Sequence, residues 1–167
     1  ALRSITYSNS SDDPGISTRT VSFMTTDGIA NSNYGFHDVA ITAVNDAPVL
    51  DNTGNMTFTT VTEDQTSNAG NTISQIIASA GGDRITDVDS GAVEGIAVTS
   101  LNSGSGNWQF STNAGATWSN VGIVSGAQAL LLRDTDLLRF VPNTLNGTTA
   151  SVTFHAWDQT GVTAGQQ

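Results

Sequence analysis

Apolar and polar residues alternate with a period of two along much of this 167-residue chain, and a 3.6-residue period is nearly absent. In 20-TVSFMTTDG-28, Val21 and Phe23 fall on one face and Thr20 and Ser22 on the other. The segment 151-SVTFHAWDQ-159 repeats the arrangement with Val152 and Phe154. The same reading predicts strands at 37–44, 56–61, 72–79, 94–101, 107–112, 129–132 and 137–142, separated at short intervals by turn residues. Many short strands with frequent turns predict an all-β protein, a β-sandwich or barrel.

Two of these strands are related. Asp27 and Asp158 lie 131 residues apart, and the same offset pairs Val21 with Val152, Ser22 with Thr153 and Phe23 with Phe154. Residues 1–48 then read as the C-terminal part of one repeat, and 49–167 as most of the next, lacking its final strand. The boundary is 44-VNDAPVL-50. Pro48 donates no hydrogen bond and biases Ala47 to an extended conformation, so the segment reads as a short, stiff link.

Composition narrows the function classes. The formal charge is −10, with 13 Asp, 2 Glu, 5 Arg and no Lys, which makes a nucleic-acid partner a poor expectation. Cys is absent, which excludes disulfide scaffolds, Cys-ligated zinc and Cys nucleophiles. No run approaches the roughly 18 apolar residues of a membrane span, and no signal peptide is visible. The excess of Asp over Glu is informative, because Asp favours turns and is a short oxygen ligand for hard cations.

At this point the chain resembles a family. The segment ITAVNDAPVL is similar to the linker of bacterial cadherin-like repeats, found in large surface and secreted adhesins. Glu63 in 62-TED-64, 86-TDVDSG-91, 139-RFVP-142 and 155-HAWDQTG-161 agree in order, and 5-ITYSNSSDDPG-15 with 23-FMTTDG-28 is similar to the preceding repeat. The resemblance implies tandem Greek-key, Ig-like β-sandwiches joined by a short linker, with calcium at the junction. The matching metal ligands are Asn45, Asp46, Glu63, Asp87, Asp89 and Asp158, with Asp12 and Asp13 from the preceding repeat. Ala43 stands where animal cadherins carry a further Asp, NDAP replaces NDNAP, and Asp12-Asp13 replaces an acidic DxE, so one or two ions are expected. It further implies an extracellular, cell-surface or secreted stalk or adhesive module. Its partners are then neighbouring repeats or copies of itself, and a cell-surface glycan or protein.

Physical chemistry leaves two readings of the acids open. On an extended segment Asp87 and Asp89 point the same way and repel unless a cation lies between them. Calcium takes 6–8 oxygens in irregular geometry, and extracellular sites bind at about 10⁻⁴–10⁻³ M. The same residues are also turn formers that need no ion. The second acidic pair, 134-DTD-136, reads as a turn between strands.

Other constellations are weaker. The stretch 111-STNAGATW-118 fits an S-x-D-x-G-x-T-W hairpin with Asn113 in the Asp place, a structural turn. Trp108, Trp118 and Trp157 read as core, with a glycan-stacking platform as the alternative. His37 and His155 match no zinc spacing and read as strand-surface residues. No nucleophile triad, phosphate loop or dinucleotide motif occurs, so the chain is not expected to be an enzyme. The repeat pattern permits a last alternative, a filament subunit in which 37-HDVAITAV-44 of one copy completes the 151–158 edge of another.

Overall fold

A computed structural model describes residues 6–166. Ile5 of the ITYSNSSDDPG motif, the first five residues of the 1–48 segment and Gln167 lie outside the described residues. The chain is mostly β, and its named strand pairs are all antiparallel. It divides into two compact units. The first spans the described residues up to Asp46 with Val88–Ser90; the second takes Ala47–Asp87 and the described residues from Gly91 on.

The first unit is a two-stranded ribbon. Strand β1 (Arg19–Phe23) pairs with β2 (Gly35–Val39), setting Arg19 opposite Val39, Val21 opposite His37 and Phe23 opposite Gly35. Arg19, Val21 and Phe23 are half-buried and Thr20 and Ser22 exposed, as the alternation predicts. None of the fully buried apolar side chains lies in this ribbon, whereas Tyr34 and Phe36 stack at 6.2 Å on its surface.

The second unit holds the core. Its elements are β3 (Val49–Leu50), β4 (Asn71–Thr72), α1 (Ile73–Ala78), β5 (Ile85–Thr86), β6 (Gly95–Asn102), β7 (Gly106–Ser111), β8 (Ser119–Asn120), β9 (Leu130–Arg133), β10 (Leu137–Pro142) and β11 (Ser151–Trp157). One sheet has the order β4-β10-β7-β8, another β11-β6-β9, and β3 pairs with β5. Trp108 and Leu138 from the first sheet and Ile96, Val98, Leu130 and Leu132 from the second share one apolar cluster. At the tight turns between β6 and β7 and between β9 and β10 the chain passes from one sheet to the other. At the first of these turns Gly104 has φ +44°, and a Cβ there would meet Thr148 Oγ1 at 2.0 Å. The Thr148 hydroxyl accepts the Ser105 N–H (3.1 Å), so only glycine lets this turn close on the 148–149 segment.

Two sequence expectations are corrected. The 72–79 segment is a helix, not a strand: Ile73, Ile76 and Ile77 are its buried face at i, i+3 and i+4. Its N-terminus is fully served. Thr72 Oγ1 accepts from Gln75 N–H (3.1 Å), Gln75 Oε1 accepts from Thr72 N–H (3.0 Å), and the Asp136 and Asp134 carbonyls accept from Ile73 and Ser74 N–H. Thr72→Ala should therefore lower unfolding free energy by about 1 kcal/mol in urea denaturation.

The 56–61 segment forms no strand. Met56 and Phe58 do pack on the core, but the N–H groups of Thr57 and Thr59 donate to Ser79 Oγ (2.8 Å) and Asn71 Oδ1 (2.9 Å) rather than to a ladder.

Arg84 ties the start of this unit to its helix, donating to Asp51 Oδ2 (2.6 Å) and to the Ala80 carbonyl (2.7 Å). The Thr53 hydroxyl and N–H, then Arg84, hold the Asp51 carboxyl at about 2, below the ordinary 3.8. A lowered folded pKa contributes stability that is complete above the unfolded value and is lost as pH falls through the folded one. Wild type should melt above Asp51→Asn at pH 5, and the gap should close between pH 4 and pH 2. A gap unchanged across that window contradicts the assignment.

Candidate metal centre

In the first unit, Asp13 and Asp46 reach residues 88–90 through hydrogen bonds. Past β2 the chain reaches Asn45 and Asp46, both exposed. The Asp46 N–H donates to Asp89 Oδ2 (2.7 Å), and the Asn45 amide donates to the Asp46 carbonyl (3.0 Å). From the other end of the unit, Asp13 Oδ2 accepts the Ser90 N–H (3.1 Å), and the Ser11 hydroxyl donates to the Asp13 carbonyl (2.9 Å). Asp46 is thus bonded to Asp89 and Asp13 to the adjacent Ser90, with Asp12 exposed. Gly91, at φ +81°, closes the turn that follows Asp89.

The second unit places the remaining candidates. Asp87 is half-buried. Glu63 is exposed and lines a groove of about 830 Å³ with Gln65, Asn68 and Arg139. Asp158 is half-buried, and its Oδ1 accepts the Thr160 N–H (3.0 Å) and hydroxyl (2.7 Å). Its counterpart Asp27 accepts the Ile29 and Ala30 N–H groups (2.9 Å each), and the Ala30 and Ile29 bonds lower its pKa. Both residues therefore close a turn after a strand, as the turn reading requires. Among the described residues, no group of three or more His, Asp or Glu side chains comes together as a metal-binding cluster. Oxygen donors of the kind calcium takes are present, and those of Asp13, Asp89 and Asp158 accept N–H or hydroxyl hydrogen bonds.

One acid missed by sequence reasoning is Glu94. Burial pushes its pKa up first, and the negative charges of Asp83 and Asp134 add to the shift. The three lie far apart in sequence and only the turns bring them near, so no motif pointed to them. The 134–136 pair is a turn, as expected. Asp136 is only 2% exposed, with its carboxylate accepting from the Arg133 N–H (2.8 Å) and guanidinium (3.0 Å to Oδ1).

The 111–118 hairpin is built from its own side chains. Buried Ser111 donates to Asn113 Oδ1 (2.8 Å) and accepts from Gly115 N–H (2.9 Å), while Asn113 Oδ1 accepts from Thr117 N–H (3.0 Å). Trp118 is half-buried beneath Arg139, whose guanidinium carbon sits 3.8 Å from the ring centroid. Trp108 is core, and Trp157 is half-buried with its N–H on the Thr160 carbonyl (3.1 Å). None of the three is a largely exposed ring of the kind a glycan platform needs. His37 and His155 are exposed on β2 and β11. Among the described residues no helix is long and apolar enough to cross a membrane.

No family model matches the chain, and the searches of curated proteins and of solved structures returned no match.

Proposed function

We propose that this chain is a calcium-stiffened, cadherin-like repeat segment of a long extracellular bacterial surface protein, serving as a stalk or adhesive array. The observation that carries the reading is the ordered set NDAP, TED, DVDSG and AWD in a chain that folds as antiparallel strands. The strand order supports an Ig-like Greek-key sandwich: β10 lies between β4 and β7 in one sheet, while β6 and β11 pair in another over the same core. The matched turns at Asp27 and Asp158 support the 131-residue repeat.

In this reading the ligands are those the resemblance implies, Asp12, Asp13, Asn45, Asp46, Glu63, Asp87, Asp89 and Asp158, and they hold one or two calcium ions. Calcium neutralises carboxylates that otherwise repel, and a joint so neutralised is stiff. The partners are neighbouring repeats, and adhesion engages a cell-surface glycan or protein. Differential melting tests the calcium step. For sites of 10⁻⁴–10⁻³ M, 10 mM calcium should stabilise by about 1.4–2.7 kcal/mol, raising Tm by roughly 3–10 °C over EDTA. An unchanged Tm contradicts it.

A further inference from the structure

The last strand of the β11-β6-β9 sheet is open. Strand β11 pairs with β6 on one side, and among the described residues no strand pairs with the other. Beside its first residues lies the 830 Å³ groove, whose apolar wall includes Phe58, Trp108, Phe140 and Val152. An unpaired strand edge next to an unfilled apolar groove is a template for an added strand.

The chain itself shows which strand fits. At the 131-residue offset, Arg19, Val21 and Phe23 of β1 fall on Ala150, Val152 and Phe154. The observed partner of β1 is β2, antiparallel, with Val39, His37 and Gly35 opposite those three positions. Transferred to β11, this register sets Val39 beside Ala150 and His37 beside Val152, and its continuation sets Ile41 beside Thr148. Thr148, Ala150 and Val152 all line the groove. Val39 and Ile41 are half-buried among largely exposed neighbours, and they stand on the same face of the segment as His37. Its present partner β1 carries none of the buried apolar side chains among the described residues, and a two-stranded ribbon by itself is marginal in water.

We propose that the open edge of β11 is completed by the Gly35–Val39 strand of a second copy, running antiparallel with His37 beside Val152, so that β11 replaces β1 as its partner. The proposal rests on the repeat correspondence of the preceding section and not on calcium.

Because the chain has no Cys, single introduced thiols report the register. Chains carrying His37→Cys and size-tagged chains carrying Val152→Cys, mixed and oxidised in EDTA, should give a heterodimer. Thr153→Cys, whose side chain points to the other face, should give at least about tenfold less. No heterodimer, or equal yields, overturns the proposal. A second measurement uses the unaltered chain. A labelled peptide of residues 33–45 should bind saturably in EDTA, and a Val39→Asp, Ile41→Asp peptide at least about tenfold more weakly. Absent or equal binding overturns it. Failure here with a calcium-raised Tm leaves the calcium reading standing; binding in EDTA with no calcium response does the reverse.

Discussion

Trp108→Ala will lower the unfolding free energy by about 3–5 kcal/mol, the largest effect expected of any single change here. Trp108 is 4% exposed, and its ring lies 4.9 Å from Phe58 and 5.4 Å from Phe140. Its indole N–H also donates to the Asn102 carbonyl (3.1 Å), which closes the turn between β6 and β7. Truncation leaves a cavity and removes the donor from that carbonyl. Urea denaturation checks both parts: Trp108→Phe restores ring contact but not the N–H and should cost roughly half as much. A loss below about 1 kcal/mol for the alanine variant would mean that this ring is not core.

The second large effect concerns the turn between β9 and β10. Asp136→Ala should cost about 2–3 kcal/mol, because the Arg133 N–H then loses its acceptor in a buried place. The Arg133 side chain is 43% exposed and can turn to water, so the loss falls short of that for a fully buried pair. Asp136→Asn keeps one acceptor and should cost clearly less. Equal losses would show that the charge, not the acceptor, matters. The same turn holds the start of α1 through the Asp134 and Asp136 carbonyls, so protease cutting near residues 73–79 should rise in the alanine variant.

Strands β6, β7, β10 and β11 were legible within a residue or two because each carries apolar residues that meet the core, and β1 alternates likewise although it adds no residue to that core. The 72–79 segment misled because its isoleucines, which favour strands, also stand at i, i+3 and i+4. The Thr72–Gln75 capping box was the signal that could have separated the two readings. The 56–61 segment has the alternation of a strand and buries the same residues a strand would. Its N–H groups meet Ser79 and Asn71 side chains instead of a neighbouring ladder, a long-range fact absent from local pattern.

The candidate site was legible only in part. Asp13, Asp46 and Asp89 were each singled out from motifs, and in the structure the Asp46 N–H donates to Asp89 while Asp13 accepts from the N–H of the adjacent Ser90. Motifs cannot say whether such a carboxylate ends on an N–H or on a cation, since a short oxygen donor at a turn suits both. Asp158 illustrates this: a proposed ligand, it closes its own turn through Thr160. Glu94 carries no motif, and the turn reading of 134-DTD-136 gave no sign that Asp136 is buried; both environments arise from tertiary packing.

Isothermal titration of the unaltered chain with calcium tests the proposed function most directly. The account predicts saturable heat with Kd of about 10⁻⁴–10⁻³ M, weakened at least about tenfold in Asp89→Asn. No heat at millimolar calcium, or identical isotherms for the two chains, would contradict it and leave these carboxylates as turn formers.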